Sequence, residues 1–185
     1  MPRPTSAPPR PANRHRRGGR RHALAKTPPA RSARRRVART HRFLVLASRF
    51  NQPMTQRLVD GALAALREAG ASPRQIRTVW VPGAFELPAA AAHFASQRAR
   101  PHAIIAVGAI IKGETMQYQA LAAAVTQGLS QAAVTTGVPV TCGVVIAETA
   151  EQASARAGGS VGNRGTEAAE AAIELLAVFS DRRTR

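Results

Sequence analysis

Four apolar runs, each followed by a stretch with helical periodicity, predict an α/β protein built on a parallel sheet with helices on both faces. Two observations carry this class. The runs are continuous rather than alternating, as strands covered on both faces are. Polar or glycine-containing turns follow every run, at the carboxyl edge where ligands of such sheets bind.

The first run is Phe43-Leu44-Val45-Leu46-Ala47, and Ser48-Arg49-Phe50-Asn51-Gln52-Pro53 is a polar turn with a proline where a helix can begin. In that helix Leu58, Ala62 and Leu66 recur every four residues beside Val59 and Leu63, forming one buried face. Gly70-Ala71-Ser72-Pro73 ends it. The second strand runs from Ile76 to Val81, and after Pro82-Gly83 a helix is predicted from about Phe85 to Gln97. Ala103 to Val107 is the third strand, leading into a glycine-bounded loop, Gly108 to Gln117, and a helix reaching about Thr136 before Gly137-Val138-Pro139. The fourth strand is Val140 to Ile146. A short helix near Glu148 to Arg156 precedes Gly158-Gly159-Ser160-Val161-Gly162-Asn163. The last helix, about Thr166 to Phe179, is expected to bury Ala169, Ile173 and Leu176, with Glu167, Glu170 and Glu174 on its wet side.

The 185 residues suit one domain plus a tail. Residues 1–42 hold 14 of the 27 Lys/Arg, none of the 10 acids and seven of the 13 prolines, so the net charge of +17 belongs mainly to this segment. An Arg/Pro-rich segment with few large apolar residues cannot offset its ordering entropy, and disorder is expected over 1–42, with the domain spanning 43–185. Three roles are open to it: a solvated tail (or a start assigned upstream of the true one), a polyanion- or nucleic-acid-binding arm, or an acid-free transit peptide. No apolar core of a secretory signal follows the basic residues.

Cys142, the only cysteine, excludes an internal disulfide and a multi-cysteine zinc site and fits a reducing compartment, so a cytoplasmic location is expected. The five histidines show no helical metal spacing in the body, and no metal site is expected. No charged residue occurs from Thr115 to Ala147, but Gln117, Gln119, Gln127, Gln131, Gly128, Gly137 and Pro139 interrupt this stretch, which reads as a deeply packed helix followed by a strand and not as a membrane span. Dinucleotide and P-loop signatures are absent.

The chemistry lies in the turns. Glycines give the loop after the third strand conformations closed to other residues, and the helix start beyond it directs free N–H groups outward. Lys112, Glu114 and Thr115 border this loop and can frame a phosphate; Lys112 can equally be a solvated side chain. Glu86 can accept hydrogen bonds from substrate hydroxyls, or simply favour a helix start. Phe50 can stack on a planar heterocycle, or tuck into the core. Arg156 and Arg164 can reach an anion as forked donors.

Together the strings Arg49-Phe50-Asn51, Val81-Pro82-Gly83-Ala84-Phe85-Glu86-Leu87-Pro88 and Gly108-Ala109-Ile110-Ile111-Lys112-Gly113-Glu114-Thr115 resemble those of the lumazine synthase family. Thr136-Gly137-Val138-Pro139-Val140, Arg156-Ala157-Gly158 and Gly162-Asn163-Arg164-Gly165 extend the resemblance, which runs in order from about Phe43 to Phe179. It implies a flavodoxin-like three-layer fold with a four-stranded parallel sheet. It also implies the cofactor-free condensation of 5-amino-6-(ribitylamino)uracil with 3,4-dihydroxy-2-butanone 4-phosphate, the penultimate step of riboflavin synthesis. On this resemblance Phe50 would stack on the pyrimidine, and Ala84, Phe85 and Glu86 would hold the ring and ribityl chain. Ala109, Ile110 and Ile111 would line the same pocket. Glu114 and Thr115 would bind phosphate through their backbone, with Arg156 pairing to it from a neighbouring subunit. The resemblance further implies a homo-oligomer, a pentamer or a sixty-subunit capsid, with sites between subunits.

Two positions depart from the family pattern. Gln117 stands where a proton-transferring histidine is usual, and Cys142 where an aromatic residue usually covers the pyrimidine. An amide does not exchange protons near neutral pH as imidazole does. The expectation is therefore reduced activity, with a catalytically weakened shell or ligand-binding paralogue as the alternative.

Overall fold

The computed structural model describes residues 37–180; most of the basic arm, 1–36, lies outside the described residues, as does 181–185. The elements are β1 (Phe43–Ser48), α1 (Gln52–Glu68), β2 (Ile76–Val81), α2 (Leu87–Ala95), β3 (Ala103–Ile111), α3 (Gln117–Thr136), β4 (Val140–Ala147), α4 (Ala150–Arg156), β5 (Ala157–Gly159), β6 (Gly162–Asn163) and α5 (Arg164–Ser180). A single turn of 3-10 helix, Pro73–Gln75, precedes β2. The four long strands pair in parallel in the order β2-β1-β3-β4. The expected three-layer arrangement is the one found.

All six residues of β1 are buried, because the strand lies between two others and between two helical layers. Phe43, Val45 and Ala47 point into a core shared with Ile105 and Val107 of β3 and with Leu58 and Leu66 of α1. Leu44 and Leu46 point the other way, towards Ile104 and Ala106 and the Leu87, Val125 and Leu129 side chains of α2 and α3. Each fully buried leucine contributes about 1.5–3 kcal/mol relative to exposure.

Three boundaries differ from those expected. The third strand does not stop at Gly108: β3 continues to Ile111, paired residue for residue with Val144–Ala147 of β4, and the Lys112 N–H donates to the Ala147 carbonyl at 2.9 Å. Gly108 is there for space, not for a turn, since a Cβ would lie 2.6 Å from Ser48 Oγ. The second helix begins at Leu87 and not at Phe85, which leaves Pro82–Glu86 as a loop. Residues 37–42 belong with the body, not with the arm: the Val37 N–H donates to Ala69 O at 2.9 Å, and Gln75 Nε2 donates to Ala38 O and His41 O.

The uncharged helix is packed along one face only. Ala122, Val125, Leu129 and Ala132 of α3 are buried, while Ala120, Ala123, Ala124, Gln127, Ser130, Gln131 and Val134 are exposed. The expectation of deep packing fails within one protomer. Among the described residues no helix is long and apolar enough to cross a membrane.

Helix α5 is tied to α1 through Asn163. Its Oδ1 accepts from the Gly165 and Thr166 N–H groups, capping the helix start, and its Nδ2 donates to Arg57 O at 2.8 Å. Gly165 then lies so close to the Leu58 carbonyl that a Cβ would overlap it. In α5 the buried residues are Ala168, Ala169, Ala172 and Leu176, whereas Ile173 is only half-buried. Gly165→Ala is therefore expected to force the two helices apart and destabilise the fold by about 1–3 kcal/mol. A urea unfolding midpoint unchanged from wild type would contradict this packing.

Candidate active site at the carboxyl edge of the sheet

The chain leaves β1 towards β2 on one side and leaves β3 towards β4 on the other, so a crevice opens beyond the carboxyl ends of β1 and β3. Asn51 spans it. Its backbone is left-handed, with φ 59°, which asparagine tolerates better than most residues, and its Nδ2 donates to the Ala109 carbonyl of β3 at 3.0 Å. Pro53 then follows at the start of α1. Phe50, just before, is 72% exposed, so its ring is not tucked into the core and its faces are available for stacking.

The turn after β2 is held beside it. The Arg49 and Phe50 N–H groups donate to Val81 O and Pro82 O at 2.8 and 3.0 Å, continuing the β1–β2 ladder past the strand ends. Ala84 is buried and Phe85 is 62% exposed. Glu86 is half-buried, and its Oε2 accepts from the Gly83 N–H at 2.8 Å. This bond uses one carboxylate oxygen to fix the turn and leaves the group further acceptor capacity.

After β3, Lys112, Gly113, Glu114, Thr115, Met116 and Gln117 are all exposed. Met116 provides no side-chain cap to α3, and the Gln119 N–H turns back to Met116 O at 3.1 Å. Gln117 occupies the first helical position. Of the other β3 residues, Ile110 is 4% exposed and packs under α2 and α3, and Ala109 contributes its carbonyl to Asn51. Ile111 is half-buried against the opposite core.

Three expected residues do not join this group within one protomer. Arg156 directs its guanidinium to Glu167 at 3.0 Å and to Val161 O at 3.3 Å. Arg164 bonds the same Glu167 oxygen at 2.8 Å. Cys142 pairs with Ala106 in the middle of β3 and is half-buried against the α2/α3 core. Five residues separate it from the end of β4, about 16 Å along a strand.

Sequence reasoning missed two residues. Glu167, read as a wet-side residue, is the carboxylate that holds both arginines; an acid three residues after Arg164 at a helix start was the available signal. Asn51 was read as part of a polar turn and of the Arg49-Phe50-Asn51 string but given no role of its own, although asparagine before a proline-started helix marks a position that can take positive φ.

An exposed ring, a half-buried carboxylate and an uncapped helix start on one edge of a parallel sheet define a class: a three-layer α/β protein with its polar and aromatic turn residues gathered at the carboxyl edge. The profile of 6,7-dimethyl-8-ribityllumazine synthase matches residues 40–180, and the chain belongs to this family. Among proteins bearing that name, the one from Halorhodospira halophila is 45% identical over 135 residues, covering 73% of this chain and 86% of the relative. Those of Gemmatimonas aurantiaca (45% over 138 residues, 75% and 84%) and Pediococcus pentosaceus (42% over 135 residues, 73% and 86%) are similar.

Asn51 gives a test of the bridge across the crevice. Asn51→Ala loses the bond to Ala109 and strains the backbone, and is expected to cost about 1–3 kcal/mol. Asn51→Gly, which accepts the positive φ, is expected to cost less. Equal stability of wild type and Asn51→Ala in chemical denaturation would contradict the role given to this side chain.

Proposed function

We propose that the chain catalyses the condensation of 5-amino-6-(ribitylamino)uracil with 3,4-dihydroxy-2-butanone 4-phosphate to 6,7-dimethyl-8-ribityllumazine, releasing phosphate and water, in the riboflavin pathway of the cytoplasm. The observation that carries this reading is the family match across 40–180 together with Phe50, Glu86 and the Lys112–Gln117 loop at a single sheet edge.

In this reading Phe50 stacks on the pyrimidine. Ala84, Phe85 and Glu86 flank the ring and the ribityl chain, with the Glu86 carboxylate accepting from ribityl hydroxyls. Ala109 to Ile111 form the floor, mainly through backbone and packing. Glu114, Thr115 and the first α3 N–H groups hold the phosphate, with Lys112 adding charge. Arrangement of the amine beside the carbonyl carbon is then the main catalytic contribution of the protein, because proximity alone removes several kcal/mol of barrier.

The site is completed by a second copy of the chain. Arg156 and Cys142 lie away from the loop in their own protomer, and the exposed face of α3 carries no charge, as the core of an interface requires. A pentamer, alone or as part of a sixty-subunit capsid, satisfies both. Arg156 then reaches the neighbour's phosphate while Glu167 and Arg164 fix its position. The basic arm, 1–42, takes part in polyanion contact through its clustered arginines.

Gln117 lacks the proton-transfer capacity of imidazole near neutral pH. Wild type is expected to turn over slowly, and Gln117→His to raise kcat at least tenfold, within the roughly 10²–10⁴-fold range of general acid–base catalysis. Single-turnover and steady-state assays with both substrates check this. Absence of turnover in both proteins, with lumazine still bound, would overturn the catalytic reading.

A further inference from the structure

At the other end of the sheet, around the amino ends of β1 and β2, lies a cavity of about 410 Å³ that the proposed reaction does not use. Its charged lining is Arg42, Arg74 and Arg77, with no carboxylate among the lining residues. The ion pairs among the described residues that hold Arg156 and Arg164 have no counterpart here. Three guanidiniums around one concavity without a counter-charge repel one another, and an anion relieves that repulsion.

Two of the three exposed side chains have a contact that orients them. Arg77 lies over the Phe94 ring, its Cζ 5.2 Å from the centroid, a contact that fixes the guanidinium while leaving its N–H edge for a ligand. Arg42 donates from Nη2 to the Arg100 carbonyl at 3.1 Å, and its backbone N–H donates to His102 Nδ1 at 3.0 Å. Arg74 lies in the 3-10 turn that Gln75 ties to residues 38 and 41. Gln75 and Gln97 complete the polar lining. His102, bonded to the Arg42 N–H, is held below its ordinary range first by burial and then by the charges of Arg42, His41 and Arg100.

We propose that this cavity is a second anion site, for a compact multiply phosphorylated group carrying about three negative charges, of which a diphosphate is the simplest. Guanidinium forks match phosphate oxygens in pairs, and the three arginines that line the cavity match the charge of one diphosphate. The site is separate from the carboxyl-edge phosphate loop, with the full length of the strands between them.

Calorimetric titration of the full chain with inorganic pyrophosphate, a nucleoside diphosphate and acetate tests this. Saturable binding of either diphosphate, weakening with salt, and no response to acetate are expected; the tighter of the two ligands identifies the source. Arg74→Gln/Arg77→Gln is expected to weaken binding at least tenfold. Both arginines are exposed, so the double variant should fold; Arg42→Gln, which keeps the backbone bond to His102, provides an independent second reading. Diphosphate binding unaffected by these substitutions would place it on the arm or the other edge and overturn the proposal, as would the absence of saturable binding.

Discussion

The pairing of β1 with β3 sets everything else. Phe43 lies beside Ala103 and Ala47 beside Val107, in a register that sends alternate side chains into two different cores. A slip of one residue would exchange the two sets, so the register is specified by both helical layers at once. Because the chain departs from these two strands in opposite directions, no helix covers their carboxyl ends. The crevice is thus a consequence of topology, and the Asn51 side chain ties the turn after β1 to β3 by bonding Ala109.

Around this crevice the protomer separates rigid from exposed parts. Ala84 and Ile110 are packed, and the Glu86 carboxylate is anchored to Gly83, while Phe50, Phe85 and the Lys112–Gln117 loop stand in solvent. Large exposed rings on a fixed backbone suit a planar ligand, since little conformational freedom is lost on binding. The same protomer leaves one face of α3 uncharged and bare, and it keeps Arg156 and Cys142 away from the loop. The proposed assembly, with sites between copies, accounts for these features together.

Much of this was legible in the sequence. Continuous apolar runs such as Phe43–Ala47 can only be strands covered on both faces, and Leu58, Ala62 and Leu66 repeat with the helical period, so the layers follow directly. Boundaries were less legible where one residue type has two uses. Gly108 looked like a turn but is a strand residue making room for Ser48, a long-range contact that local pattern does not encode. The packing of α3 was misjudged because absence of charge marks a buried surface without saying whether the same chain or another copy buries it. Glu167 offered only its i,i+3 spacing from Arg164 as a local signal, since its pairing with Arg156 depends on the β5–β6 hairpin that brings the two arginines together.

The central claim is that the carboxyl edge between β1 and β3 holds the heterocycle against Phe50. Equilibrium binding of 6,7-dimethyl-8-ribityllumazine to wild type and Phe50→Ala tests it most directly, because this exposed side chain can be removed without disturbing the core. Loss of a stacking contact worth about 1–3 kcal/mol predicts an affinity roughly five- to 150-fold weaker, with assembly unchanged. Equal affinity in the two proteins would contradict the account.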